Sequence, residues 1–449
     1  MKNLLRWILF PVLLACNSTP SDELDLIISN VNLIDGTGMP VQTVSIGIKN
    51  GKISAIEPSI SIARAITIDG SRKYLIPGLF DCHVHTSNFE RDFPRLVHYG
   101  ITSIFIPGGG TTTNQYFKAM RERGNKDTIP APYVFHTSQH FSMEGCHPTK
   151  TYPSPVWREG ETIFYLKDTL QIEKLVKQVA QYPIQGIKLT IEDGPAPPFV
   201  ERIPQEFINK VTKEASKHGL EIFAHVSDNK ELEMAITGGI QNLVHFTGVN
   251  IDQQDKRQLE LLKQFKQREP HWVTTLMIDK SFLYPLHPEW FEVEAMLPAY
   301  RDKVQELTPM QVKLGNMYVS NLMEEYGLTE NSLSAFVVPQ VEDIKFLREL
   351  GINMVLGTDA GNKFNFHGYS LHEEMQLFEL GGMEPLEIIK MGTLNAAKMV
   401  NAQDSLGSIE VGKIANMVLL NKSPLVSINN TLEINTVIKK GVVQKRLGE

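Results

Sequence analysis

The 449-residue sequence is poor in cysteine, in long apolar runs and in charge of one sign. Its three cysteines, Cys16, Cys82 and Cys146, are too few and too scattered for a disulfide framework. Lys plus Arg number 44 and Asp plus Glu number 51, and this net charge of −7 argues against a nucleic-acid partner. A composition with 42% hydrophobic and 21% charged residues is that of an ordinary globular protein, which excludes a disordered chain and a protein with several membrane spans.

The first residues have the layout of a secretory leader. Lys2 and Arg6 precede the apolar run Trp7–Ala15, which is about half as long as a bilayer-spanning helix. The run ends in Leu-Ala-Cys at Cys16, which resembles the lipobox of bacterial lipoproteins. The resemblance implies a signal peptide at 1–15, lipidation of Cys16, a polar tether at 16–24, and export with a lipid anchor in a bacterial membrane. A signal peptide with an incidental cysteine is the alternative, and the membrane face stays open.

Two β-rich segments lie at opposite ends of the mature chain. Residues 25–76 contain short alternating runs rich in β-branched residues, with Asn50-Gly51 as a hairpin signal. Residues 405–449 show the same pattern of short β-branched runs. Neither segment is long enough for a core of its own, so we expect one small β-sandwich built from both. Two separate β modules are the alternative.

Between these segments, residues 77–404 alternate between buried strands and amphipathic helices. Eight strand candidates are present: 74–80, 101–106, 133–136, 186–191, 220–224, 242–245, 272–277 and 353–357. Eight is the number that closes a parallel barrel, so the predicted fold class is α/β, a (β/α)8 TIM barrel with the small sandwich attached. Two connections, 137–162 and 278–340, are long enough to be lids or binding loops.

Functional residues of such a barrel lie where its strands end, and six polar side chains fall at those positions. They are His83 and His85 after the first strand, Lys188 in the fourth, His225 and His245 at the fifth and sixth, and Asp359 after the eighth. Each alone has an ordinary structural explanation: a hydrogen-bonded histidine, a snorkelling lysine or a helix-capping aspartate. Their coincidence around one barrel mouth predicts a metal site.

The sequence resembles the amidohydrolase superfamily, in its imidazolonepropionase-like and prolidase-like branch. The resemblance rests on three motifs, 76–85, 357–361 and 393–413, and covers almost all of the mature chain. Two segments depart from the family pattern: the family usually has Asp-Ala-Asp where this chain reads Ile414-Ala415-Asn416, and Glu-His-Gly where it reads Val244-His245-Phe246. Neither departure removes a metal ligand, but the second leaves the substrate class open.

The resemblance implies two divalent metal ions, zinc by preference. His83, His85 and Asp359 would hold one, His225 and His245 the other, and a carboxylated Lys188 would bridge both. The implied reaction is hydrolysis of a carbon–nitrogen bond in a dipeptide, N-acyl amino acid or cyclic amide. A metal-bridging hydroxide would attack, and Asp359 would act as general acid and base.

Alternatives remain open at this stage. A one-ion site would use His83, His85, His225 and Asp359, with His245 assisting the water and Lys188 structural. The same metals would serve a lactonase or a phosphotriester hydrolase, and a solute-binding lipoprotein could retain the barrel without catalysis. Whether the chain is a monomer or a homo-oligomer is not determined.

Three further histidines are candidates for binding the substrate. His140 and His147 lie in the long connection after the third strand and could bind a carboxylate or polarise a carbonyl, or could be solvated loop residues. His367 matches a family position flanking the site. Cys82 alternates with its neighbouring histidines, so we expect it to pack against the outer layer of the barrel.

Overall fold

A computed structural model describes residues 23–61, 64–108, 113–194, 199–325 and 332–448. The predicted signal peptide, Cys16 and nearly all of the predicted tether lie outside these residues. In the part of the chain that the structure describes, no helix combines the length and apolar character needed to cross a membrane.

The described residues form eighteen strands, thirteen α-helices and four short 3-10 helices. The strands are β1 (Leu26–Leu33), β2 (Gln42–Lys49), β3 (Lys52–Glu57), β4 (Ile66–Asp69), β5 (Tyr74–Pro77), β6 (Leu79–Asp81), β7 (Ile101–Ile106), β8 (Tyr133–His136), β9 (His140–Ser142), β10 (Ile163–Tyr165), β11 (Gly186–Thr190), β12 (Glu221–His225), β13 (Asn242–Val244), β14 (His271–Val273), β15 (Asn353–Val355), β16 (Met417–Leu420), β17 (Ile434–Lys439) and β18 (Val442–Val443). The helices are α1 (Phe89–His98), α2 (Asn114–Gly124), α3 (Thr169–Val179), α4 (Gln205–Ser216), α5 (Asn229–Thr237), α6 (Lys256–Lys266), α7 (Met277–Leu283), α8 (Pro298–Arg301), α9 (Pro309–Glu325), α10 (Leu333–Glu349), α11 (Tyr369–Leu380), α12 (Pro385–Met391) and α13 (Leu394–Met399). The 3-10 helices are Tyr284–Leu286, Pro288–Glu292, Asp302–Glu306 and Ile428–Leu432.

Strands from both chain ends form one eight-stranded sheet. Its order is β18-β17-β16-β5-β1-β2-β3, with β4 paired to β1, and the two ends of the chain meet where β5 pairs antiparallel with β16. Ile53 N in β3 also donates a hydrogen bond to Lys413 O at 2.9 Å, and this bond connects β3 to the C-terminal segment. The sheet encloses a core of its own that draws on both segments, including Ile28, Ile46 and Leu419. The expectation that both chain ends build one β structure is confirmed, and all of its strands belong to a single sheet, while the domain bounds 25–76 and 405–449 stay a prediction.

The barrel consists of β6, β7, β8 and β11 to β15, all paired in parallel where they adjoin. Backbone hydrogen bonds close it at two seams: Ser138 N donates to Gly186 O at 2.9 Å, and Cys82 N donates to Leu356 O at 3.1 Å. Because parallel strands present their carboxyl ends at one rim, the closed barrel collects the strand-end residues around one mouth. The predicted fold class is confirmed.

The first barrel strand differs from its prediction. The sequence suggests one strand over 74–80, but the structure divides it at Gly78 into β5, which joins the small domain, and β6, which joins the barrel. A Cβ at Gly78 would lie 2.2 Å from Thr102 Oγ1, so only glycine fits this close approach. Pro77 beside it has no backbone N–H with which to continue a ladder.

The predicted environment of Cys82 is wrong. Its fully buried side chain belongs to the cluster that fills the barrel interior, with Phe105, Phe223 and Val273. Regular strand alternation ends at Asp81 because the backbone bends at 82–83, so the period-two argument does not extend to Cys82. Cys82 and Cys146 are both free thiols, as expected.

The long connections carry secondary structure of their own. The first contains β9 and leads directly into β10, and β9 pairs in parallel with β11, so that His140 stands opposite Lys188. The second carries α7, α8 and α9. Both connections therefore pack against the rim where the candidate ligands lie.

Candidate metal centre

The six predicted ligands converge at the barrel mouth. His83 Nε2 lies 3.1 Å from His85 Nε2, and both approach Asp359 Oδ1, at 3.3 and 3.0 Å respectively. This group has the donor atoms and spacing to hold a metal ion.

A second group shares His83 with the first. The rings of His83 and His245 are 4.7 Å apart, and those of His225 and His245 are 4.4 Å apart, measured between centroids. One nitrogen from each of these three histidines lies within 4.8 Å of the others. The two groups therefore form one continuous donor set contributed by four barrel strands.

Lys188, in β11, is fully buried beside this set without a hydrogen-bond partner for its amine. Burial lowers the pKa of Lys188 to about 7, although the negative charges of Asp359 and Glu192 act in the opposite direction. The amine is therefore readily neutral near physiological pH, and a neutral amine is a nucleophile.

The donor chemistry fits divalent metal ions. Lys188 Nζ and His225 Nε2 are buried without hydrogen bonds, which is exceptional for protein polar atoms. Burial lowers the pKa of His83 and of His225 well below the usual range, and that of His245 to about 4. The three imidazoles are therefore neutral, the form that binds metal.

Local backbone structure orients the ligands. Asp81, fully buried, accepts hydrogen bonds from His83 N at 3.3 Å and from the Thr358 hydroxyl at 2.6 Å, and so ties the first strand to the eighth. His245 and Asp359 have φ angles of 73° and 62°, in the left-handed region. Such conformations are unfavourable for residues with a Cβ and persist where the surroundings impose them, often at functional sites.

The candidate substrate-binding histidines have different surroundings. His147 reaches the centre from the long connection: its Nε2 lies 2.7 Å from Glu192 Oε1, and its ring is 6.2 Å from that of His225. The ring of His140 lies 6.5 Å from that of His225. His367 instead contacts the main chain of the metal motif, with Nε2 2.8 Å from His85 O. A role in substrate binding stays a prediction for all three.

Glu192 is the residue that sequence reasoning missed. It lies just beyond β11, almost fully buried, with Oε2 3.3 Å from His225 Nδ1 while Oε1 contacts His147. Burial by itself raises the pKa of this carboxyl, but the two histidines hold it well below its usual range. An acidic residue four positions after Lys188, at a strand end, is the signal that could have identified it.

The chain is similar in sequence to known proteins. A model of the amidohydrolase family matches residues 294–443. The chain is 23% identical to the imidazolonepropionase of Geobacillus kaustophilus over 430 residues, 90% of each chain. It is 21% identical to the ochratoxinase of Aspergillus niger over 437 residues, 88% of this chain and 81% of the relative.

Solved structures share the fold. A Xaa-Pro dipeptidase with bound methionine superposes with a TM-score of 0.66 at 20% identity, covering 94% of this chain and 99% of that one. The ochratoxinase of A. niger superposes with a TM-score of 0.66 at 20% identity, covering 95% of this chain and 97% of that one.

Proposed function

We propose that this chain is a hydrolytic enzyme of the amidohydrolase superfamily and that it cleaves a carbon–nitrogen bond, an amide, in a small substrate. The substrate class we propose is a dipeptide, an N-acyl amino acid or a cyclic amide. The observation that supports this best is the convergence of four histidines and Asp359 at the barrel mouth, where Lys188 Nζ is buried without a hydrogen-bond partner.

The donor set suggests which residues would hold metal. His83, His85 and Asp359 would bind one divalent ion and His225 and His245 a second, with zinc suited to this mixture of nitrogen and oxygen ligands. When bound, such ions lower the pKa of water and polarise a carbonyl. Lys188 would help to hold both ions as a carbamate, formed when its neutral amine adds carbon dioxide and loses a proton, because an ammonium group would be repelled by divalent cations.

The chain's own groups would carry the proton. Asp359 Oδ2 accepts a hydrogen bond from Asn362 Nδ2 at 2.6 Å, while Oδ1 faces the imidazoles of His83 and His85. In this position the carboxylate would take a proton from the attacking water and deliver it to the departing nitrogen. An amide nitrogen requires that proton because its anion is too basic to leave. In the one-ion alternative, where His245 would bind no metal, its imidazole would instead orient the water.

A metal analysis coupled to a substrate panel tests this proposal. The protein, beginning after Cys16, is loaded with zinc and assayed on dipeptides, N-acyl amino acids and cyclic amides, with lactones and phosphotriesters as the competing class. We expect about two zinc ions per chain and turnover of amides. Faster turnover of lactones or phosphotriesters would contradict amide hydrolysis and identify the protein as a hydrolase of that competing class. A fully metallated protein inactive on all of them would favour the solute-binding alternative.

Replacement of the bridging lysine gives the first specific prediction. Lys188→Ala should reduce bound zinc below one equivalent per chain and abolish turnover, because the two ions lose their shared ligand. Short carboxylates such as formate or propionate should restore part of the bound zinc and part of the turnover, because they can occupy the space that the side chain leaves. Lys150→Ala, on the exposed surface of the long connection, is the control. Normal zinc content and rate in Lys188→Ala would refute the carbamate bridge.

We also propose that the protein is exported and anchored through lipidated Cys16, as the leader sequence suggests. Expressed in a bacterial host with an alkyne-labelled fatty acid, the full chain should incorporate label and partition into the detergent phase. Cys16→Ser should do neither. Incorporation of label by Cys16→Ser would contradict the assignment of Cys16.

A further inference from the structure

The seventh barrel strand supplies no candidate metal ligand, yet its residues contact His245 at three points. His245 N donates to Val273 O at 2.9 Å, and Trp272 Nε1 donates to His245 O at 2.5 Å. His245 Nδ1 lies 2.8 Å from the hydroxyl oxygen of Thr275, just beyond β14. The main chain and the ring of His245 are thus both fixed by this neighbouring segment.

The conformation of the contacting segment is itself unusual. Thr275 has a φ of 54°, a left-handed conformation that a β-branched residue rarely adopts. Because this conformation is unfavourable in isolation, other contacts must hold the segment in place. Without them, the hydroxyl of Thr275 would not remain opposite the His245 ring.

Glu374 on α11 provides those contacts. Its carboxylate is fully buried, and its Oε1 accepts hydrogen bonds from the Thr274 hydroxyl at 2.6 Å and from Leu276 N at 3.1 Å. Its other oxygen, Oε2, accepts from Met277 N at 2.8 Å. Three donors on both sides of Thr275 therefore converge on one side chain almost a hundred positions away in sequence.

A capping role for Glu374 at the start of α7 would explain only part of this arrangement. A carboxylate is favourable at a helix N-terminus, and Met277 is the first residue of α7. The bond to the Thr274 hydroxyl lies outside that helix, however, and Thr274 O also accepts from Phe246 N at 2.9 Å. The carboxylate thus reaches the residues that flank His245.

We infer that Glu374 is a positioning residue for His245: it fixes the segment Thr274–Met277 so that the Thr275 hydroxyl orients the imidazole toward the metal centre. The inference rests on the proposed function, in which His245 binds metal. Ligating histidines are commonly held at their second ring nitrogen in this way, and loss of such a partner typically costs 10–100-fold in metal affinity.

Four variants test the inference on the zinc- and cobalt-loaded protein. Glu374→Gln keeps the side-chain shape but places an N–H₂ group against a backbone or hydroxyl donor. Thr275→Val removes the hydroxyl without changing shape, and Thr275→Ser retains it. The matched control is Glu379→Gln on the same helix, whose carboxylate accepts from Ile428 N at 2.8 Å, in the segment joined to the small domain. The measurements are metal affinity by chelator competition, the visible spectrum of bound cobalt, and the melting temperature.

We expect Glu374→Gln and Thr275→Val to weaken one of the two metal equivalents by about 10–100-fold and to change the cobalt spectrum alike. Thr275→Ser and Glu379→Gln should keep the wild-type affinity and spectrum, even if Glu379→Gln lowers the melting temperature. Wild-type affinity and spectrum in Glu374→Gln, with only a lower melting temperature, would overturn the inference. A failure of the proposed activity is read separately, on the unmodified chain, as metal binding without turnover of amides; an unmodified chain that binds no metal would overturn the inference as well.

Discussion

At the scale of single residues, the centre depends on carboxylates that bind no metal in our assignment. Glu192 contacts two histidines, and Asp193 behind it donates from its backbone N to Glu231 Oε1 at 3.1 Å. Arg202 Nε donates to the same Glu231 oxygen at 2.8 Å, so the segment that carries Glu192 is held to the start of α5. These charged side chains thus hold the segment of Glu192, whose carboxylate contacts His225.

Glu192→Gln is the prediction that belongs to this scale. The amide keeps the side-chain volume but loses the negative charge that His147 and His225 face. We expect kcat/KM to fall by about 10–100-fold, as for other groups that hold a metal ligand. Steady-state kinetics measure this, with Glu206→Gln on the exposed face of α4 as the control. Equal rates in the two variants would show that Glu192 does not support the centre.

At the scale of elements, the insertion between β14 and β15 is fastened to the rim by tyrosines. Tyr99 accepts a hydrogen bond from Leu297 N at 2.9 Å and donates to Ala295 O at 3.0 Å. Tyr300 in α8 donates to His367 O at 2.9 Å, and its ring stacks on Phe366 with centroids 4.8 Å apart. The insertion is therefore joined to the loop that follows Asp359.

Tyr300→Phe should loosen this junction while keeping the stacking. The lost hydroxyl leaves a buried carbonyl unsatisfied, which costs about 1–3 kcal/mol. Hydrogen–deuterium exchange should become faster in residues 284–301, with Tyr182→Phe, after α3, as the control. Unchanged exchange in that segment would mean that the aromatic packing alone holds the insertion.

At the scale of the whole molecule, buried neutral histidines outside the centre make stability depend on pH. Burial lowers the pKa of His136 to about 3 and those of His271 and His372 to about 4. His372 on α11 joins the barrel to the small domain: its Nε2 donates to Tyr99 O at 2.9 Å, and its Nδ1 lies 2.8 Å from the Thr431 hydroxyl. The unfolded chain takes up these protons at a higher pH than the folded one does.

The folded protein should therefore lose stability as the pH falls below about 6.5, the pKa of an unperturbed histidine. For His372 alone the loss between pH 7 and pH 5 is about 2 kcal/mol. His372→Gln should reduce this difference by that amount in urea denaturation at the two pH values. The control is His218→Gln, at an exposed position, and a pH dependence identical to wild type in His372→Gln would contradict the prediction.

The sequence by itself determined the fold class and the six candidate metal ligands, but not Glu192 beside them. Strand-end positions are local facts: once the chain alternates strand and helix, the closure of a parallel barrel brings His83, Lys188 and Asp359 to the same mouth. The small domain could also be predicted from the sequence, because each of the two β segments is too short to form a core without the other. The alternation of side chains along a strand predicted the wrong environment for Cys82, because the backbone bends there at the end of the strand.

Only the tertiary structure decided which groups support the ligands. Glu374 meets Thr274 across 100 positions in the chain, and His147 meets Glu192 by the path of a long connection. His367, close to Asp359 in sequence, contacts the main chain of His85. Such contacts depend on how helices and connections pack on the barrel, and no pattern of polarity in the sequence specifies that packing, because many buried carboxylates and histidines could satisfy the same local rules.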